Sequence, residues 1–206
     1  LMAEEDFVVE TYVDLIRKAH EEIHTVYVRE SRKLAENLRN FIQNLIISQG
    51  FPGHGTNKNT KYQKWKDKHG NGLNIELVLT GQLLYDSIII KQIDFNDEEY
   101  PDEELVGGYK IDISDDPVTP RAIKARKLKV KHLDTGQEAS YFLDRSGKYR
   151  VFTLRDLWTV IEWTWNKPVI WFAKEKYKSN RLTNRHIYDR IEKEIMEKYG
   201  IYTSTT

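Results

Sequence analysis

The amino-acid sequence predicts an α+β fold with an N-terminal long helix or helix pair, an antiparallel β-sheet core with a hairpin, and C-terminal helices. Apolar residues recur at helical spacing near both ends of the chain, and the strand-like segments are grouped between them. They do not alternate with helices, as the strands of a parallel sheet do. We expect a single domain over residues 1–206, with a long loop at 50–74 and an insertion of a hairpin and a Trp-rich helix at about 137–167.

The composition excludes several classes of protein. The 39% of hydrophobic residues suffices for one core, and the absence of cysteine excludes disulfides, thiol catalysis and cysteine-ligated zinc. No apolar run approaches the roughly 20 residues that cross a bilayer, and the acidic N-terminus is unlike a signal peptide. Because 32 basic and 32 acidic residues balance, no overall field attracts nucleic acid or an anionic membrane. We therefore expect a protein that folds in the cytoplasm.

The N-terminal part of the chain predicts a helix over about residues 6–28, which a second apolar stripe continues to Leu45. Its apolar positions recur at steps of three and four, which draws one stripe along a helix. They are Val9, Tyr12, Ile16, Ala19, Ile23 and Val26, followed by Leu34, Leu38, Phe41 and Leu45. The stripe belongs to one helix with a break near "RESRK" or to two helices, and Gly50 with Pro52 is expected to end it. Its seam could pack on a neighbouring chain as readily as on its own core.

A loop and a short helix are expected next. Residues 50–74 are rich in Gly, Asn and Lys, which is typical of an exposed loop. Thr80 is predicted to be the N-cap of a brief helix that carries Leu83 and Leu84.

The centre of the chain predicts strands. The apolar run at 88–93 indicates a buried strand, and residues 105–113 and 122–133 indicate two more. Two β-rich arms around residues 144–147, in "SYFLDRSGKYRVF", predict a hairpin.

Two further helices are predicted near the C-terminus. Thr153 can cap the first, with Asp156 at the reciprocal position of a capping box, and Pro168 is expected to close it. Thr183 precedes the second, and Gly200 is its expected C-terminal stop. The apolar positions are Leu154, Leu157, Val160 and Ile161 in the first helix and Ile187, Ile191 and Ile195 in the second.

The letters "HEEIH" in the first predicted helix match the zinc-protease pattern, in which two histidines share a helix face and a glutamate activates the metal-bound water. A catalytic zinc at His20 and His24 still needs a third protein ligand. Tyr27 stands where the extended pattern requires glycine, and neither Glu30 nor Glu36 has a recognised spacing. We therefore prefer an ordinary amphipathic helix and expect no enzymatic activity, metal or cofactor. A zinc-dependent hydrolase that uses this motif is an alternative.

Two charge runs of opposite sign follow each other along the chain. The acidic run contains Asp94, Asp97, Glu98, Glu99, Asp102, Glu103, Glu104, Asp112, Asp115 and Asp116, and the basic run contains Arg121, Lys124, Arg126, Lys127, Lys129 and Lys131. They are either solvated faces or the two sides of a head-to-tail contact that closes into a ring. For the ring, the candidate contacts are Arg126, Lys127, Lys129 and Lys131. A nucleic-acid-binding module at 121–131 is a further alternative, although the neighbouring carboxylates would repel phosphates.

An aromatic cluster, "LWTVIEWTWNKPVIWF", holds four of the five tryptophans. Helical spacing places Trp158, Ile161 and Trp165 together, which predicts a partly buried cluster. Trp163 and Trp171 are candidates for a subunit interface, because aromatic side chains are enriched at protein contacts. Stacking on nucleic-acid bases is the alternative.

The segment "YQKWKDKHGNGLNIELVLTGQLLYDSI", residues 62–88, resembles a segment of tail-completion, tail-terminator and virion-morphogenesis (head–tail joining) proteins of long-tailed bacteriophages. The matching positions are Trp65, Lys66, Lys68, Leu77, Leu79, Thr80, Gly81, Leu83, Ser87 and Ile88. Residues 131–136 and 166–172 are distant counterparts of later family segments, and both depart from the family pattern.

This resemblance implies a non-enzymatic virion protein that forms a ring, often sixfold, at the head–tail junction or the top of the tail. The partners it implies are other copies of the chain, neighbouring neck connector or stopper proteins, and tail-tube proteins. It further implies that DNA only passes through the ring, that no membrane is bound, and that the protein made in the host cytoplasm ends in the virion neck or tail.

Overall fold

The computed structural model describes residues 2–55, 81–93, 107–118, 129–132, 138–143, 148–180 and 183–201, with side chains except at 2–10, 129–132, 138–143 and 149. The elements are α1 (Met2–Ile47), α2 (Gln82–Tyr85), β1 (Ile88–Ile93), β2 (Gly108–Ile113), β3 (Lys129–His132), β4 (Glu138–Leu143), β5 (Tyr149–Val151), α3 (Leu154–Thr159), a π-helical turn (Val160–Thr164), α4 (Val169–Ser179) and α5 (Asn184–Lys198). Strands β1 and β2 form one antiparallel sheet, and β3, β4 and β5 form another in that order. The predicted α+β class is confirmed.

The strands β2 and β3 lie within the predicted segments 105–113 and 122–133, of which residues 105–106, 122–128 and 133 lie outside the described residues. β4 and β5 pair antiparallel with Leu143 opposite Tyr149, which confirms the hairpin, while its turn lies outside the described residues. The strand at 88–93 is confirmed, but its complete burial is wrong. Ile88 and Ile93 are buried, whereas Ile89 is 41% exposed, because successive side chains of a strand point to opposite faces.

The chain divides into two compact units, each assembled from segments far apart in sequence. Unit 1 comprises Leu1–Asn37, Ile90–Lys110 and Tyr177–Thr206. Unit 2 comprises Leu38–Ile89 and Ile111–Lys176. The predicted single domain, with its loop and insertion bounds, stays a prediction.

The core of unit 1 is formed by α1 and α5. Both helices bury residues spaced four apart, which places them on one face of each helix. The buried residues are Ala19, Ile23 and Tyr27 from α1, Ile187, Ile191, Ile195 and Met196 from α5, and Ile201. Tyr12, predicted to belong to the α1 stripe, is 52% exposed instead.

Both ends of α5 lie where the capping residues Thr183 and Gly200 predicted them. The hydroxyl of Thr183 accepts a hydrogen bond from the His186 amide, so it is the N-cap. At the other end Gly200 is left-handed, and Ile201 N–H donates to the Met196 carbonyl at 2.8 Å. This is the bond pattern of a Schellman motif, in which a left-handed residue ends the helix.

Helix α1 has no break near "RESRK" and ends at Ile47. Gly50 was predicted to stop it, but Gln49 adopts the left-handed conformation, with φ of 57°. Gly50 instead donates its N–H to the Leu45 carbonyl at 3.0 Å. The helix thus ends with a Schellman motif one residue before the glycine.

The core of unit 2 includes α3 and the π-helical turn. Thr153 and Asp156 form the predicted capping box, and Leu154, Trp158 and Ile161 are buried. Trp165, which was predicted to lie beside Trp158 and Ile161 in a partly buried cluster, is 40% exposed. Its amide bonds to the Val160 carbonyl five residues back, so the helix widens and Trp165 rotates away from the buried face.

Pro168 has a different role from the predicted one. The helical segment ends at Thr164, before Pro168, and α4 begins at Val169. The Pro168 carbonyl accepts a hydrogen bond from Phe172 N–H at 3.0 Å. Proline therefore starts a helix that the sequence did not predict, in line with its preference for helix N-termini.

Candidate functional site: an exposed tryptophan surface

The segment at residues 62–88 is described from Gly81 onward. Gly81 is the N-cap of α2, with φ of 84° and no side-chain capping bond. The predicted N-cap at Thr80 is therefore wrong, and Thr80, Trp65, Lys66 and Leu79 lie outside the described residues. A Cβ atom on Gly81 would lie 3.2 Å from the Tyr85 ring, and an L residue there would be strained in a left-handed conformation.

The next motif residues point into the core of unit 2. Leu83 is buried, as predicted, and Ser87 is completely buried. The Ser87 hydroxyl donates to the Leu83 carbonyl and accepts a hydrogen bond from Trp158 Nε1 at 2.9 Å. The carbonyl of Ser87 also accepts from Ser114 N–H at 2.8 Å. These side chains are therefore part of the core of unit 2.

Three tryptophans of unit 2 face solvent. The side chain of Trp163 is 83% exposed, that of Trp171 is 58% exposed, and that of Trp165 is 40% exposed. We call these three residues the tryptophan surface. Trp158, by contrast, is 1% exposed.

Glu162 links the π-helical turn to the start of α4. Its Oε1 accepts hydrogen bonds from the amides of Ile170 at 2.7 Å and Trp171 at 3.2 Å. These amides lie in the first turn of α4, where backbone N–H groups lack partners within the helix. A carboxylate from the π-helical turn thus caps α4.

Contacts with Gly53 fix the segment between the π-helical turn and α4. Lys167 is 4% exposed, and its Nζ donates to the Gly53 carbonyl at 2.9 Å. A Cβ on Gly53 would collide with the Asn166 carbonyl oxygen, so this contact requires glycine. Asn166 itself is left-handed, with φ of 52°. The backbone that carries the tryptophans is held by these contacts.

Part of the acidic run is paired within the chain. Arg155 Nε lies 2.7 Å from Asp115 Oδ1, and its Nη2 lies 3.2 Å from Asp112 Oδ1. The hydrogen bond from Arg155 lowers the pKa of Asp115 against a smaller opposing effect of burial. These two carboxylates are therefore compensated inside unit 2.

The remaining candidate charges are described only in part. Residues 94–104, Arg126 and Lys127 lie outside the described residues, and Lys129 and Lys131 are described as backbone of β3. In that strand they pair with Tyr141 and Ala139 of β4.

His20 and His24 are both exposed on α1. Among the described residues, no group of three His, Cys, Asp or Glu side chains could hold a metal ion. Glu22, within the same motif, accepts from Lys198 Nζ at 2.7 Å and from the Tyr199 hydroxyl at 3.0 Å. These two hydrogen bonds lower the pKa of Glu22. Glu22 of the motif thus forms a contact between α1 and the end of α5.

A buried polar cluster in unit 1 carried no recognisable sequence signal. The Tyr27 hydroxyl donates to the Gly107 carbonyl, and burial raises the pKa of this phenol, which keeps it a donor. Ser31 Oγ accepts from Tyr109 N–H at 2.6 Å, and Asn184 Nδ2 donates to the Tyr109 carbonyl at 2.9 Å. The cluster joins partners about 80 residues apart, which no local pattern could reveal.

Comparisons with protein-family models, curated proteins and solved structures gave no match. Within the described parts of the chain, every helix is too short or too polar to cross a membrane.

Proposed function

We propose that this chain is a structural virion protein of a phage neck or tail that forms a ring at the head–tail junction or the top of the tail. It acts in tail completion or termination and catalyses no reaction. The resemblance of residues 62–88 supports this proposal, as does the packing role of the motif residues that are described. A short helix whose leucine and serine enter the core suits a scaffold better than a catalytic site.

The tryptophan surface is the observation that carries the proposal. A tryptophan that leaves water removes roughly 150–250 Å² of surface, so aromatic residues contribute much of the energy of protein contacts. Trp163 and Trp171 are the residues with the largest exposed area among them. Because Glu162 and Lys167 fix the backbone beneath them, little conformational entropy is lost on binding.

The proposed mechanism is geometric. Copies of the chain meet side by side, the ring closes, and the remaining loops hold the neck connector or stopper on one side and the tail tube on the other. DNA passes through the opening. The candidate contacts are the tryptophan surface and the basic run from Arg126 to Lys131.

A double variant, Trp163→Gln with Trp171→Gln, tests the proposal. We expect the native chain to form an oligomer by size-exclusion chromatography with light scattering, and the variant to lose it. Tyr12→Gln, which replaces an aromatic residue that is 52% exposed on α1, is the matched control. If the double variant still forms the oligomer, the tryptophan surface is not part of the contact between copies.

Simple measurements distinguish the proposed structural role from two other functions. A zinc hydrolase would retain one zinc per chain by elemental analysis and lose it in His24→Ala. A nucleic-acid-binding module would bind DNA with an affinity that falls steeply with salt concentration. The proposed structural role predicts neither result.

A further inference from the structure

Arg39 lies in the part of α1 that belongs to unit 2, and it is partly buried. Its Nε is buried, yet within the described part of the chain it has no hydrogen-bond acceptor. Nη1 and Nη2 are not buried in this way, so solvent reaches the outer side of the guanidinium. Arg39 therefore carries a positive charge that is partly removed from water and has no described counter-charge.

The other arginines with described side chains differ from Arg39 in both respects. All of them are exposed, and each forms an ion pair with a carboxylate of this chain, as Arg29 does with Glu30 at 3.3 Å. A charge needs a counter-charge more strongly when less of it remains in water, because desolvation penalises the charged group. Among these arginines, the least exposed one thus lacks the carboxylate that it needs most.

The nearest described carboxylates do not supply this counter-charge. Glu36 lies three residues before Arg39 on the same helix, but it already accepts a hydrogen bond from another arginine at 3.2 Å. On the other side, Gln43 Nε2 donates to the Leu84 carbonyl at 2.9 Å, which places α2 beside this part of α1. Asp86 follows at the end of α2, and it is exposed and forms no described ion pair with Arg39.

The charges around Arg39 indicate the kind of anion that would bind. The nearest cations along α1 are Arg32 and Lys33, and they are already paired with Glu36 and Glu30. One positive charge therefore remains to be balanced, which a single carboxylate does. The paired N–H groups of a guanidinium also match the two oxygens of a carboxylate. A nucleic-acid strand carries many charges and needs several cations, which the described neighbours of Arg39 do not offer.

We propose that Arg39 is a carboxylate-binding site. The carboxylate approaches from the solvent side and accepts hydrogen bonds from Nη1 and Nη2, so it supplies the missing counter-charge. It belongs to a small carboxylic acid in solution or to an Asp or Glu side chain of a second copy of this chain. The chemistry is the same in both cases, and the site itself does not depend on the proposed ring.

Urea unfolding in sodium acetate and in sodium chloride tests the site. At equal ionic strength the two salts screen charges equally, so a difference between them that requires Arg39 measures the binding of acetate. At an acetate concentration about ten times the dissociation constant, the equilibrium constant for folding should rise about elevenfold relative to chloride. Sodium phosphate should give a smaller rise. A larger rise in phosphate that requires Arg39 would show that the site takes a phosphate, and the inference would be wrong.

Three variants show whether the rise in acetate belongs to Arg39. Arg39→Gln should fold, because it removes a charge without a described partner, and it should show no rise. Arg39→Lys keeps the charge but not the paired N–H groups, so it should lose most of the rise, and it serves in place of Arg39→Gln if that variant is unfolded. Arg29→Gln is the matched control, since it removes an exposed arginine of the same helix, and it should keep the full rise. An equal rise in the native chain and in Arg39→Gln would overturn the inference.

Light scattering distinguishes the two sources of the carboxylate. If a second copy supplies it, acetate and Arg39→Gln should each weaken association of the chain about tenfold, and Arg29→Gln should not. If a small acid supplies it, neither should change association, and the rise in acetate remains. No rise in acetate and no change in association would overturn the inference, while the ring proposal would stand if the native chain assembles. A native chain that is always monomeric would contradict the ring, and the urea measurement would still decide the site.

Discussion

At the scale of single residues, Ser87 connects α2 with the core of unit 2. Its hydroxyl is completely buried, donates to the Leu83 carbonyl and accepts from Trp158 Nε1. A buried indole N–H without a partner is costly, because it loses its hydrogen bond with water and gains nothing in return. The position of one small polar residue thus holds α2 and α3 together.

The Ser87→Ala variant should therefore be less stable than the native chain. We expect the free energy of unfolding to fall by about 1–3 kcal/mol, since the Trp158 N–H is left buried and unpaired. Urea titration followed by tryptophan fluorescence measures the change. Ser48→Ala is the matched control, because Ser48 is exposed and its hydroxyl bonds only to the Asn44 carbonyl at the end of α1. Equal stability of the two variants would show that the buried bond contributes nothing.

The sequence identified some of these residues and not others. The burial of Leu83 was predictable, because an apolar residue in a helical turn next to a strand usually packs into the core. The capping role of Thr80 was predicted wrongly, because glycine in a left-handed conformation can begin the turn without a side-chain cap. The bond between Ser87 and Trp158 spans 71 residues, so local spacing gave no sign of it.

At the scale of elements, the ends of helices were predicted most reliably from the sequence, because capping residues mark them. Thr153 with Asp156 and Thr183 with Gly200 were all predicted, because each uses a local hydrogen bond between residues close in sequence. The π-helical turn was not predictable from apolar spacing, and it ends beside Trp165, which is 40% exposed. The cap that Glu162 provides for α4 was missed for a similar reason, since it comes from eight residues upstream.

Thr153→Ala tests the capping box. Thr153 Oγ1 accepts from the Asp156 amide, and the Asp156 carboxylate accepts from the Thr153 amide. We expect a loss of about 1 kcal/mol in the free energy of unfolding. Thr159→Ala is the matched control in the same helix, because that exposed hydroxyl bonds only to the Arg155 carbonyl. A loss no larger than that of the control would mean that α3 does not depend on its cap.

The ion pair between α3 and the end of β2 predicts a dependence of stability on pH. Arg155 lowers the pKa of Asp115 below its ordinary value of 3.8, so the folded chain favours the ionised carboxylate. Its contribution is present above pH 3.8 and is lost as the pH falls through the folded pKa. Below about pH 4, the native chain should therefore lose the excess in free energy of unfolding that it has over Arg155→Gln at higher pH.

Denaturant unfolding from about pH 6 down to pH 2.5 measures this difference. The effect is small because both side chains are largely exposed. Arg190→Gln is the control, since Arg190 Nε lies 4.0 Å from Glu194 Oε1 in an exposed pair. A difference between the native chain and Arg155→Gln that stays constant over this range would contradict the role given to Asp115.

At the scale of the whole molecule, the class of fold was predictable from the sequence, but the partners of its charged side chains were not. Asp112 and Asp115 belong to the acidic run that was expected to be either a solvated face or one side of a subunit contact, and Arg155 binds both. Trp163 and Trp171 were expected at an interface, and they are exposed, as an interface requires. The division into two units built from separate segments could not be read from composition, because contacts distant in sequence define it.

The central claim is that copies of this chain form a closed ring. Negative-stain microscopy of the purified native protein tests it most directly, because a ring shows its closure and its opening in single particles. We predict rings of uniform size at low salt and smaller species at high salt, since exposed charges that steer assembly are screened over about 8 Å at physiological ionic strength. Particles the size of a single chain at every salt and protein concentration would contradict the claim.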